Sequence, residues 1–313
     1  MASVFGLALL AAHALSGGVK SFSVLPSETD RRIQAFNSVH TIYIDKDVAP
    51  RRELLVFLPG TNGKTTNAKA FLSTAAEQGY QVISLMYPDD VPAAIVRDDP
   101  DSKAFLNFRL EVIEGRDLSK AVAVAREDSI ENRLVKVLEY LDKNRPGEHW
   151  GEYLAKGEPN WRQIAVSGLS QGAGHAALLA ARHRVARAVL FGGPKDYSRA
   201  SHGPANWYKP SQTPVDMIFT FNHKQDRQGC TYEQQLEICR FMGLEKLGKA
   251  VEVESAKAPY EGSHILVTNY PGTALTSVRA HTSVVADPSS PLAADGTRLF
   301  KPVWVYMLTS GRK

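Results

Sequence analysis

The sequence predicts an α/β fold: a mostly parallel central sheet with helices on both faces and lid-like insertions. Three observations carry that expectation. Short β-branched or apolar runs alternate with helical periods of about a dozen residues, as a sheet covered on both sides requires. Most of the runs are short, β-branched or apolar, which is the mark of strands buried on both faces. Two connections are far longer than the few residues usual in α/β units.

The strand candidates are, in order, 40–44 (HTIYI), 54–58 (LLVFL), 81–86 (QVISLM), 163–167 (QIAVS), 188–191 (AVLF), 215–221 (VDMIFTF) and 265–268 (ILVT). Helical spacing appears over 68–78 and over 129–143, where Ile130, Leu134, Val137, Leu138 and Leu141 share one face before Asn144, Arg145, Pro146 and Gly147 stop it. Further helices are expected at 172–183 and at 231–247, the latter opened by an N-cap Thr231 with a capping-box Gln234. Residues 303–308 fit either a helix or a strand. The long connections are 88–128, which carries Asp89, Asp90, Asp98, Asp99 and Asp101 with Phe105 and Phe108, and 192–214, which carries Tyr197, His202, Trp207 and Tyr208. At the C-terminal edge of a parallel sheet such segments wall a pocket, and Phe105, Trp207 and Tyr208 are the expected lining.

Composition narrows the function less than the order of elements does. The chain has 313 residues, with 37 Lys and Arg against 33 Asp and Glu, a net charge of +4. No Lys/Arg block concentrates that charge, so neither nucleic acid nor an anionic membrane is an expected partner. Residues 1–18 form an apolar run ending in small residues, the shape of a secretory signal peptide without its positive n-region. This leaves 19–313 as one domain, expected to be secreted or extracytoplasmic. No other stretch is long and apolar enough for a stable membrane span. Export would allow Cys230 and Cys239 to pair, but a helix starting at Thr231 would separate their Cα atoms too far for a disulfide, so a bridge requires that helix to start later. They form no zinc signature, and no metal site is expected.

The most specific signal is Gly168-Leu169-Ser170-Gln171-Gly172, a G-x-S-x-G between a strand and an Ala/Leu-rich helix. A serine on such a turn stands proud of the sheet, and the glycines let neighbouring chain pass close. A serine hydroxyl needs a base, and the base needs a carboxylate. Asp216 and His264 begin their strands, at the wrong edge of the sheet. Asp226 and His281 follow theirs, so these two are the expected partners of Ser170. Asp196 and Glu261 remain open as replacements for Asp226.

With the elbow GLSQGAGHA (168–176), the strand and loop LLVFLPGTNG (54–63) and a late Asp and His in that order, the chain resembles the α/β-hydrolase superfamily, in particular its secreted lipase- and esterase-like members. The resemblance implies an α/β-hydrolase fold and a cofactor-free serine hydrolase acting on a small-molecule or lipid-like acyl substrate. It also implies an oxyanion hole built from the Gln171 amide and one from Gly60 or Thr61. Two other readings compete: a hydrolase-fold binding protein without turnover, and an ATP-binding protein. The latter rests on Gly60-Thr61-Asn62-Gly63-Lys64-Thr65-Thr66, which looks like the ATP-binding loop of the Mur ligases but has Leu58 where the full phosphate-loop pattern asks for glycine.

Overall fold

A computed structural model describes residues 18–273 and 276–311; the leader reading of 1–18 lies, but for Gly18, outside them. In chain order the main elements are β1 (Val19–Val24), α1 (Pro26–Thr29), β2 (His40–Asp45), β3 (Leu54–Leu58), α2 (Lys69–Glu77), β4 (Gln81–Ser84), α3 (Ala104–Glu114) and α4 (Ile130–Asn144). They continue with β5 (Ile164–Leu169), α5 (Gln171–Arg182), β6 (Arg187–Phe191), β7 (Ile218–His223), α6 (Tyr232–Met242), β8 (Val251–Glu252), β9 (Ile265–Thr268), α7 (Ser277–Ser283) and α8 (Lys301–Thr309).

The nine strands form one sheet in the order β1-β2-β4-β3-β5-β6-β7-β9-β8. Only the pairings of β2 are antiparallel, with β1 on one side and β4 on the other. Every other neighbouring pair is parallel. The apolar runs are explained by burial on both faces. Along β3, Leu54, Val56 and Leu58 enter one core while Leu55 and Phe57 enter the other. The first core is closed by α3, α4, α5 and α6, the second by α2 and α8. Each such side chain contributes roughly 1.5–3 kcal/mol on leaving water.

Strand order reverses around β3. The chain leaves β3 through α2 toward β4, and leaves β5 through α5 on the opposite face toward β6. The carboxyl ends of these adjacent strands therefore lie at the point of reversal, where ligands bind in open α/β sheets.

Several boundaries differ from expectation. The 88–128 connection is not an irregular loop, because it contains α3, which buries Phe108, Val112 and Ile113. The second, 192–214, carries a two-residue hairpin pairing Tyr197–Ser198 with Gly203–Pro204. Residues 301–309 resolve as a helix with Pro302 in its first turn, where the missing N–H costs nothing. Strand β1 and the short β8 were not expected. Thr231 caps α6 as its sequence predicts, and Cys230 and Cys239 are free, buried thiols, both pushed up to about 12 by burial. No helix among the described residues is long and apolar enough to cross a membrane.

Candidate active site

Ser170 occupies the single residue between β5 and α5, with φ 58° and ψ −113°. That left-handed conformation costs a non-glycine residue about 1–3 kcal/mol. The surroundings hold it there: the Ser170 N–H donates to the Phe191 carbonyl at 2.8 Å, and its own carbonyl accepts from Gly174 at 3.2 Å. The turn also brings α5 hard against the end of β3. A Cβ on Gly172 would fall 2.0 Å from the Leu58 carbonyl oxygen, and one on Gly168 2.4 Å from the Gly172 backbone. Both positions therefore exclude any side chain.

The loop after β3 runs beside this turn. Thr61 Oγ1 donates to Gln171 Oε1 at 3.2 Å, and the Ala93 N–H from the 88–128 insertion donates to the same oxygen at 2.9 Å. One side chain thus ties three segments together. The Gln171 N–H, at the first position of α5, has no intrahelical acceptor. Gln171 and Thr61 border the same cavity of about 400 Å³ as Gly60, Ser170 and His281.

His281 lies on α7, whose start is capped by Thr276 accepting from the Arg279 N–H at 3.0 Å. Its Nδ1 is 2.7 Å from Asp226 Oδ2. A carboxylate only accepts, so Nδ1 carries the proton and Nε2 presents a lone pair. That Nε2 is buried without a hydrogen-bond partner. Asp226 is fixed in turn by the Gln228 N–H at 2.8 Å and by Gln235 Nε2 of α6 at 2.9 Å. Burial pushes the Asp226 carboxyl up, but His281, Lys195 and the Gln228 N–H together hold it below the ordinary carboxylate value. Burial, reinforced by Lys195, pushes His281 below the ordinary imidazole value against the pull of Asp226. The turn after β6 must stay bare for the ring: a Cβ on Gly192 would meet His281 Cε1 at 2.6 Å.

The alternative acids are accounted for otherwise. Asp196 is held by a buried bidentate pair with Arg109 of α3, both N–O distances being 2.5 Å, and accepts from Trp207 Nε1 at 3.1 Å. Glu261 is exposed in the turn before β9, at the opposite edge of the sheet.

Of the expected lining, Phe105 borders the cavity. Trp207 and Tyr208 do not, which corrects the expectation. Both are buried behind the wall, where the Tyr208 hydroxyl accepts from the Lys195 and Asp196 N–H groups at 3.2 and 3.0 Å. Their polar tips needed partners in the interior, and the backbone of the 192–214 insertion and Asp196 supply them.

Sequence reasoning missed Lys195. Its Nζ lies 3.4 Å from Ser170 Oγ, and burial holds its pKa below the ordinary lysine value although Asp226 and other groups oppose this. Only its place just after the β6 strand end pointed toward it.

The Gly60–Thr66 loop does not present a phosphate cradle. The Thr65 hydroxyl is buried against the Val39 carbonyl and the Thr41 hydroxyl, both at 2.9 Å. The Gly63 N–H is taken by Gly60 O at 2.8 Å and Asp89 Oδ2 at 3.0 Å. No group of three or more His, Cys, Asp or Glu side chains suited to a metal ion occurs among the described residues. No protein-family model matches the sequence, and no curated protein matches it.

Proposed function

We propose that the chain is an exported serine hydrolase of the α/β-hydrolase superfamily that cleaves an ester or other acyl bond through Ser170, His281 and Asp226. The observation that carries this reading is the Asp226–His281 hydrogen bond of 2.7 Å, in a histidine whose Nε2 has no partner and which borders the same cavity as a serine on a strained strand-to-helix turn. A sheet with the reversal point beside β3 and the serine at the adjacent strand end supports the superfamily assignment.

The chemistry follows from these atoms. Ser170 Oγ attacks the acyl carbon as His281 Nε2 takes its proton. The carbonyl π pair moves onto oxygen, where the Gln171 and Thr61 N–H groups stabilise the charge. Collapse of the tetrahedral species expels the alcohol, to which His281 returns the proton. Water, deprotonated by the same nitrogen, then attacks the acyl-enzyme and releases the acid and Ser170. Asp226 keeps the proton on Nδ1 and stabilises the imidazolium.

A fluorophosphonate probe tests the reading by intact mass. Wild type should gain one adduct with loss of fluoride, and Ser170→Ala and His281→Ala should gain none. Ser170→Ala should also lower ester hydrolysis by about 10⁴-fold or more while its melting temperature moves by no more than about 2 °C. A folded wild-type sample that takes no label would discard the reading in favour of a binding protein without turnover.

A further inference from the structure

We propose that the substrate of this site carries an anionic group, a carboxylate or phosphate, a few bonds from the scissile carbonyl, and that Lys195 is the residue that reads it. The inference rests on the serine hydrolase reading for where the scissile bond lies.

The cavity wall carries an excess of positive charge. Lys64, Arg97, Arg109 and Lys195 border it, and the bordering carboxylate is Asp196. Asp196 is already neutralised by Arg109, and Arg97 pairs outside the cavity with Asp98 at 3.4 Å. Lys195 makes no such contact: among the described residues no carboxylate oxygen lies within the 4.0 Å of an ion pair, its hydrogen bond is to the neutral Ser170 hydroxyl, and the Asp226 carboxylate acts on it only from beyond that distance. A half-buried ammonium with no anion in contact is unfavourable, and here it serves no ion pair that holds the fold.

Lys195 is also placed, rather than left on a flexible surface stem. Tyr208, completely enclosed, accepts hydrogen bonds from the backbone N–H groups of Lys195 and Asp196, and the bidentate Arg109 anchors the next side chain. The insertion is thereby fixed so that Nζ reaches the reacting serine. A neutral acyl chain filling this cavity would leave the ammonium desolvated against carbon. An anionic chain would supply a carboxylate or phosphate in direct contact with Nζ, with Phe105 and Leu169 packing its methylenes. Burial keeps the pKa of Lys195 below the ordinary lysine value even against Asp226 and Asp196, as expected where no carboxylate touches the ammonium.

The test is calorimetric titration of Ser170→Ala, which binds without turnover, with monomethyl succinate, methyl 3-phosphonopropanoate and methyl butanoate. At least one anionic ester should bind about tenfold or more tightly than the neutral one, and the tighter of the two identifies the anion. Adding Lys195→Met should collapse that ratio, Lys195→Arg should retain most of it, and rising ionic strength should weaken the anionic ligands alone. Equal or preferential binding of methyl butanoate overturns the proposal, as does a preference that survives Lys195→Met. Absence of binding by all three overturns it as well. Fluorophosphonate labelling of the wild type, measured in parallel, separates these outcomes from failure of the serine assignment: a labelled enzyme with no anion preference loses only Lys195's role. An unlabelled wild type loses the hydrolase reading whatever the titrations give.

Discussion

Asp196 and Asp226 stand in the loops after neighbouring strands, β6 and β7, and each is almost completely buried, yet they face opposite kinds of partner. Asp196 meets the Arg109 guanidinium, which keeps its proton at any pH a protein survives. Asp226 meets the His281 imidazole, which gives and takes a proton near neutrality. The same residue type at corresponding places thus becomes structural in one loop and, in our reading, catalytic in the next. The difference teaches that strand-end position nominates a carboxylate, and the chemistry of the group it touches decides what it does.

The largest effect should come from breaking the second pair. Asp226→Asn replaces an acceptor-only carboxylate with an amide that can donate to Nδ1, which favours the tautomer with its proton on Nε2. Ester hydrolysis should fall about 10⁴-fold, roughly 5.5 kcal/mol of transition-state stabilisation, with the fold nearly unaffected. Steady-state kinetics beside a thermal melt would check it. A loss below tenfold in Asp226→Asn would hand the acid's role to another residue.

Breaking the first pair should act on stability instead. Asp196→Ala leaves the Arg109 guanidinium buried and uncompensated and orphans the Trp207 indole N–H, so urea unfolding should report a loss of about 3–5 kcal/mol. Arg109→Met should cost a similar amount. The double variant Arg109→Met with Asp196→Leu should be less destabilised than the sum of the single changes, since no buried charge remains. Strict additivity in that cycle would show that the two side chains are not coupled. The residual hydrolysis of folded Asp196→Ala should exceed that of Asp226→Asn, which is the comparison in its sharpest form.

What was legible in the sequence was whatever local chain chemistry decides. The elbow could be read because strand, G-x-S-x-G and helix are contiguous, and the close approach of Gly172 to Leu58 leaves no room for other residues. Asp226 and His281 could be nominated because each follows a strongly apolar strand. Lys195 could not be, since its approach to Ser170 depends on Tyr208 and Arg109 fixing an insertion from elements distant in sequence. Trp207 and Tyr208 had two destinations, cavity or wall, and the demand of their polar tips for interior partners selected the wall. β1 escaped notice because an edge strand with mostly half-exposed residues has no continuous apolar run. α3 was hidden inside the aspartate-rich 88–128 segment, where its mixed face reads as loop.

The smallest effect should appear in pH dependence, where the two regions meet through Lys195. In the proposed reaction His281 must be neutral to accept the serine proton, and burial, Lys195 and Asp226 together set its pKa below the ordinary 6.5. Activity should therefore persist below pH 6.5 and fall as pH drops through the folded value, because protonation removes the base. Lys195→Met removes a repelling cation, stabilises the imidazolium, and should move this acid limb upward. Asp89 complicates the same range, since burial pushes its carboxyl up to about 7 while it accepts from the Gly63 N–H in the loop after β3. Asp89→Asn should remove any inflection from that group and leave the His281 limb in place. Profiles of kcat/KM for wild type and both variants would decide it. An acid limb that stays fixed in Lys195→Met would show that the ammonium does not act on the imidazole, and the link between the two loops would be mechanical only.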